Sequence, residues 1–225
     1  MDVRIGVLAL QGDVSEHISA FRQALVHRGC GKAPRVIPIR TGGQIERCDA
    51  LAIPGGESTT ISRLIDRTGM RRAIEEFEGG IFATCAGMVL LSTDAGDPRV
   101  KPLGLLDMTV ERNAFGRQKE SFEADLALEG LRGPAYRGVF IRAPVVKRAG
   151  PGVQVISRIP EGIVAVRSGP HLALSFHPEL TGDLRIHTLF LNGLLGEPGD
   201  NSTPQSTPLP RLWPDREKKV ATMKE

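Results

Sequence analysis

A chain of 225 residues with 40% hydrophobic content and a net charge of +3 carries enough apolar material for one sizeable core and little charge imbalance. Its 29 basic and 26 acidic residues, with one Trp and one Tyr, argue against a nucleic-acid binder, which needs a concentrated basic face or aromatic stacking platforms. No run reaches the length of a membrane span, no signal peptide is visible, and Cys30, Cys48 and Cys85 show neither disulfide nor zinc spacing, so a cytoplasmic protein without metal or other cofactor is expected.

In chain order, Val3 to Leu10 is a continuous apolar run of the kind a strand covered on both faces requires. The turn Gln11-Gly12-Asp13 follows, and then Ile18, Phe21 and Leu25 at helical spacing, with Gly29 as a stop. Short strands are expected at Arg35 to Ile39 and Ala50 to Ile53, the latter closed by Pro54-Gly55-Gly56. Ser58 or Thr59 can cap a helix whose Ile61, Leu64 and Ile65 form one face. The strand and helix around Cys85 complete an α/β layout with a mostly parallel sheet.

From Leu103 the pattern becomes β-rich. Strands are expected at Met108 to Glu111, Glu123 to Leu128, Gly138 to Ile141, Val153 to Ser157, Gly162 to Arg167 and Leu172 to Phe176. They extend the sheet with antiparallel strands, and a last helix runs from an Asp183 cap to Leu195. One domain, 1–196, is expected, followed by a Pro-rich, mobile tail at 197–225.

Gly80-Ile81-Phe82-Ala83-Thr84-Cys85-Ala86-Gly87 runs an apolar strand into a lone cysteine between small residues, with an apolar helix directly after. A turn of this kind presents its central side chain at the carboxyl edge of a sheet, and a helix N-terminus there favours thiolate. The alternative is a buried core cysteine. A thiol nucleophile needs a base and the base an orienting group. His177 and Glu179 meet that need if the segment is extended, which would place both side chains on one side with Pro178 stiffening the link. A His-x-Glu by itself is more often a solvated turn. Cys85, Gly55-Gly56 and His177 all follow strands and so can gather at one rim of the sheet.

Ala83-Thr84-Cys85-Ala86-Gly87 together with His177-Pro178-Glu179 resembles the class I glutamine amidotransferases, the triad glutaminases. Further stretches are similar to one branch, the glutaminase subunits of pyridoxal 5′-phosphate synthase: Leu8 to Gly12, Pro54 to Thr60, Glu111 to Gln118, Ser121 to Asp125, Gly138 to Pro144 and Ser175 to Thr181. The likeness runs in order from about Val3 to Leu195. Two departures stand out. Ala83 occupies a place where the family usually has Gly, which costs little if its backbone stays at negative φ, and the tail lies beyond the family pattern.

The resemblance implies a three-layer, flavodoxin-like fold and hydrolysis of L-glutamine to glutamate and ammonia through a Cys85 thioester. It implies His177 as base, Glu179 as its partner, and the N–H groups of Gly56 and Ala86 as the oxyanion hole. By similarity Gly56, Glu57, Ser58, Arg112, Ile141 and Arg142 line the glutamine site. The planar fork of Arg112 suits the substrate carboxylate, and Glu57 either meets the ammonium group or only organises its loop. The implied partner is a synthase (lyase) subunit in a hetero-oligomer that receives the ammonia, with activity switched near Gln11-Gly12. A glutaminase of another pathway, such as imidazole glycerol phosphate synthesis, and an inert scaffold subunit are the alternatives. His17 is expected to serve helix packing or a subunit contact, and neither His171 nor His187 has a carboxylate at useful spacing. Gly55-Gly56 lacks the Lys-Ser/Thr of a phosphate cradle.

Overall fold

The computed structural model describes residues 3–30, 35–115 and 121–196. The tail at 197–225 and residues 116–118 of the Glu111-to-Gln118 stretch lie outside them.

The first half builds an open parallel sheet. Strands β1 (Arg4–Leu8), β2 (Arg35–Ile39), β3 (Ala50–Ile53) and β4 (Gly80–Thr84) stand in the order β2-β1-β3-β4, all parallel. The inner strands β1, β3 and β4 are buried almost throughout because both faces are covered, while β2 at the edge is buried only at Val36 and Ile39. Ile5 and Val7 of β1, Ala52 of β3 and Phe82 of β4 pack on one side, with Phe21 and Leu25 of helix α1 (Val14–His27). Leu8, Leu51, Ile53, Ile81 and Ala83 point the other way, toward helix α3 (Ser58–Arg67). The period-2 alternation of the strands thus divides the core into two layers around the sheet. Two short helices, α2 (Gly42–Ile45) and α4 (Arg71–Glu75), fill out the α3 side.

After helix α5 (Ala86–Leu91), strands β5 (Ser92–Asp94), β6 (Leu106–Glu111), β9 (Val145–Ala149), β10 (Gln154–Ile159), β11 (Gly162–Ser168) and β12 (His171–Leu174) complete the sheet. Strand β12 lies parallel to β4, and β11 turns back antiparallel beside it, so the order continues β4-β12-β11-β9-β6-β5 with β10 on β11. Strands β7 (Ser121–Leu126) and β8 (Tyr136–Ile141) form a separate antiparallel hairpin, on which Phe122 and Phe140 stack at 4.6 Å. Helix α6 (Arg185–Leu195) packs against α1, closing the three-layer α/β architecture with its mostly parallel central sheet and added antiparallel strands.

Two expected caps are corrected. Glu57 caps α3 in place of Ser58 or Thr59, because its longer side chain reaches back to the N–H groups of Thr59 and Thr60. Helix α6 begins at Arg185 behind Leu184, while Asp183 accepts the Arg185 N–H at 3.1 Å from just outside the helix.

Ala83 is fully buried and is not among the positive-φ residues, so its methyl group fits the strand without backbone strain. Gly87 is different: a Cβ there would stand 2.2 Å from the Ile53 carbonyl oxygen. Helix propensity by itself favours Ala over Gly by ~1 kcal/mol. The carbonyl belongs to the end of β3 and cannot retreat cheaply, so the clash wins. Gly87→Ala is expected to destabilise the protein by about 1–3 kcal/mol in urea titration, and an unchanged or raised midpoint would contradict this packing.

Candidate active site

Thr84 ends β4 and Ala86 starts α5, so one residue makes the whole turn between them. Cys85 makes it with φ 47° and ψ −105°, a conformation that L residues seldom adopt and that sites tend to store as strain. Its N–H donates to the Leu174 carbonyl at 2.8 Å, which ties the turn to the end of β12. The chain then passes through Ser175 and Phe176 to His177, whose N–H donates to Val139 of β8 at 2.8 Å. Parallel pairing of β4 and β12 therefore delivers the cysteine and the histidine to the same rim.

Pro178–Leu180 is a single 3₁₀ turn, not the extended segment expected from the sequence. Proline's fixed φ suits the first position of such a turn. The carboxylate still reaches the ring: His177 Nδ1 and Glu179 Oε1 are 2.8 Å apart, with the Glu179 side chain fully buried. Behind the turn, the Tyr136 hydroxyl donates to the Asp183 carbonyl at 3.2 Å and stands 2.9 Å from Thr181 Oγ1, so β8 anchors it.

Burial pulls the His177 ring toward neutrality, but its hydrogen bonds to Cys85 and Glu179, and their charges, push it up to about 10. For Glu179, burial raises the carboxyl and the His17 and His177 rings outweigh it, holding it at about 2. Asp13 Oδ2 also lies 3.4 Å from His177 Nδ1. Asp13, His177 and Glu179 offer ligand atoms within 4.8 Å of one another, yet the imidazole nitrogen in that trio is the one already bonded to Glu179.

A cavity of about 490 Å³ opens in front of Cys85 and His177. Gly56, Glu57, Ser58, Ala86, Arg112, Ile141 and Arg142 all border it, so the residues singled out from the sequence converge; Glu179 alone stands behind the ring. The approach of the Gly55 loop depends on a missing side chain: a Cβ on Gly55 would sit 2.4 Å from His177 Cε1 and 3.4 Å from Cys85 Cβ. The Gly55 N–H donates to Thr84 Oγ1 at 3.1 Å, and the Glu57 N–H to Gln11 Oε1 at 3.1 Å. The loop that carries the Gly56 N–H is thereby pinned to both β4 and the Gln11 turn. From the hairpin side the Ile141 carbonyl faces Cys85 Sγ at 3.7 Å, and Arg142 turns the chain at φ 43°.

Arg112 is not a free fork. One guanidinium nitrogen donates to Glu57 Oε1 at 3.1 Å and the other to Asp97. Glu57 organises its loop: it accepts from the Thr60 N–H at 2.7 Å and the Thr60 hydroxyl at 2.8 Å. Partial burial raises its carboxyl, but the Thr59 and Thr60 donors win and hold it at about 2.

The pocket also includes Asp13, Val89, Asn113 and Pro144, which sequence reasoning left out. Behind it sit two more such groups, Thr84 and His17, both with no exposed surface. His17 lies on the α1 stripe with Phe21 and Ala24, so a polar residue within an apolar helical face was the available signal. His171 and His187 stay outside the cavity. His171 Nδ1 accepts the Ile81 N–H at 3.2 Å, and burial holds the ring at about 4. His187 stacks on Phe82 at 5.1 Å, and burial, with His17 adding, holds it at about 3.

Residues 7–195 match the SNO glutamine amidotransferase family. The chain belongs to that family. It is 62% identical over 192 residues to pyridoxal 5′-phosphate synthase subunit PdxT of Methanoregula boonei, which covers 85% of this chain and 99% of the relative. The PdxT of Methanosphaerula palustris is 60% identical over 196 residues, 86% of this chain and 98% of the relative. A crystal structure described as a glutamine amidotransferase superposes with a TM-score of 0.73 at 46% identity, covering 84% of this chain and 98% of that one.

The depressed Glu179 carboxyl sets an acid limit. Its folded value of about 2 lies below the ordinary 4.5, so its contribution to stability is complete above pH 4.5 and is lost as pH falls toward 2. The gap in unfolding free energy between wild type and Glu179→Gln should therefore narrow steadily over that interval. Urea titrations at stepped pH measure it; a gap that stays constant would contradict the assigned environment.

Proposed function

We propose that this chain is the glutaminase subunit of a pyridoxal 5′-phosphate synthase, hydrolysing L-glutamine and passing the ammonia to a synthase (lyase) subunit in a hetero-oligomer. The observation that carries the reading is the His177–Glu179 contact at 2.8 Å, behind a cysteine held on a strained strand-to-helix turn in a chain of the SNO family. Relatives at 60–62% identity carry the pyridoxal 5′-phosphate synthase name, which favours this pathway over imidazole glycerol phosphate synthesis.

In the proposed mechanism the thiol proton of Cys85 passes to His177, and the sulfur attacks the side-chain amide carbon of glutamine. Negative charge builds on the carbonyl oxygen, where the N–H groups of Gly56 and Ala86 are the candidate donors. His177 then protonates the departing nitrogen and ammonia leaves. Water, deprotonated by the same ring, hydrolyses the glutamyl thioester to glutamate. Glu179 keeps the ring oriented throughout. Arg112 would bind the substrate carboxylate by exchanging Asp97 or Glu57 for it, a substitution its planar fork allows.

Free hydrolysis would waste glutamine, so activity is expected to depend on the partner. The contact between Gln11 and the Glu57 N–H supports placing the switch at Gln11-Gly12, since a partner that moves this turn would move the loop bearing Gly56. The catalytic unit is proposed to end at 196, with the segment at 197–225 outside it. A cytoplasmic location is proposed from the likeness to this family. Among the described residues no helix is long and apolar enough to cross a membrane.

Glutamate release measured with and without the synthase tests the reading. The wild-type chain should be slow alone and faster with its partner, and Cys85→Ser should lose at least about 10³-fold with the partner present. Equal rates in both conditions, or an active Cys85→Ser variant, would contradict it.

A further inference from the structure

We infer that His17 is a positioning residue for the catalytic carboxylate: its Nε2–H donates to Glu179 Oε1 and locks the acceptor that orients His177. The inference rests on the glutaminase reading above and extends it from the three triad side chains to a fourth, contributed by α1.

His17 is fully buried on α1, and its Nε2 lies 3.3 Å from Glu179 Oε1 and 3.1 Å from Thr84 Oγ1. The same Oε1 is 2.8 Å from His177 Nδ1, while Glu179 Oε2 has no hydrogen-bond partner among the described residues. One carboxylate oxygen thus takes both rings. A carboxylate can only accept, so the imidazole nitrogen that faces it must carry hydrogen. A bare Nε2 would set two lone pairs against each other in a site without water screening. Nδ1 of His17 has no partner among the described residues, so a hydrogen there would be left unsatisfied, which again places it on Nε2, beside the Glu179 carboxylate and the Thr84 hydroxyl.

The consequence is mechanical. Glu179 belongs to a single 3₁₀ turn with few hydrogen bonds of its own, and one bond to His177 would leave its carboxyl group free to rotate. A second donor on the same oxygen, from a 14-residue helix, removes that freedom. Thr84 Oγ1, the other neighbour of His17 Nε2, also accepts the Gly55 N–H. A single ring therefore references both the triad and the loop carrying Gly56 to the same helix. A histidine that only filled the core would need none of these contacts.

The test uses the chain in complex with its synthase. Nitrogen-15 NMR of histidine-labelled wild-type protein should find hydrogen on His17 Nε2; a bare Nε2 overturns the inference. His17→Leu should lower kcat by about 10- to 100-fold, leave KM for glutamine within about twofold, and move or broaden the His177 Nδ1–H resonance. His17→Gln, which can present an N–H near the Nε2 position, should recover most of kcat. If His17→Leu keeps kcat and the His177 resonance, or if both variants lose activity only in proportion to lost folded protein, the positioning role is wrong. Should His17→Leu fail to fold, the wild-type spectrum and His17→Gln decide. A wild-type complex that released no glutamate would instead refute the glutaminase reading, while the spectra would still report on His17.

Discussion

Cys85 holds φ 47° and ψ −105°, and the rest of the site depends on that one residue staying there. A conformation of this kind costs about 1–3 kcal/mol and persists only where the surroundings over-determine it. Here they do. Strand β4 is paired on both sides, by β3 and β12, and the Cys85 N–H is taken by Leu174. Directly after the turn, α5 is pressed so close to β3 that position 87 has no room for a side chain. Strand and helix are each fixed, and the single residue between them absorbs the change of direction.

Around that fixed point the chain brings in three separate supports. The loop after β3 carries Gly55 against the imidazole, the hairpin carries Ile141 to the sulfur, and the turn after β12 carries His177 and Glu179. Each contact is made at or just beyond the end of a strand: Ile141 is the last residue of β8, Gly55 follows the end of β3, and His177 and Glu179 follow the end of β12. Such strand ends are where an open α/β sheet leaves backbone free to meet a ligand. The electrostatics follow from the same crowding. Burial opposes charge on both the imidazole and the carboxylate, and hydrogen bonds and opposite charges reverse it: Cys85 and Glu179 for His177, His17 and His177 for Glu179. The charged groups of the site therefore support one another.

Much of this was legible in the sequence, for physical reasons. Arg35 to Ile39 and Ala50 to Ile53 were readable to the residue, the second because a strand buried along its whole length is an unbroken apolar run closed by turn residues. The lone cysteine among small residues marked the turn. What escaped notice were elements too short to show a period: α2, α4 and β5 span four, five and three residues. Strand β9 was hidden because Lys147 and Arg148 break its apolar run. The spacing of His177 and Glu179 suggested an extended segment, and proline instead nucleated a 3₁₀ turn that reaches the same contact by a different backbone path. The pairing of Glu57 with Arg112 and the place of His17 behind Glu179 depend on neighbours 55 and 162 residues away in the chain, which no local pattern encodes.

The account is tested most directly by the chemistry of one sulfur. The complex with the synthase can be treated with a glutamine-like diazoketone, digested, and its cysteine peptides weighed by mass spectrometry. A single adduct on Cys85, suppressed by excess glutamine, with Cys30 and Cys48 unmodified, is the expected result. An unmodified Cys85 in the assembled complex, or labelling that glutamine does not suppress, would contradict a glutamine-binding nucleophile at this turn.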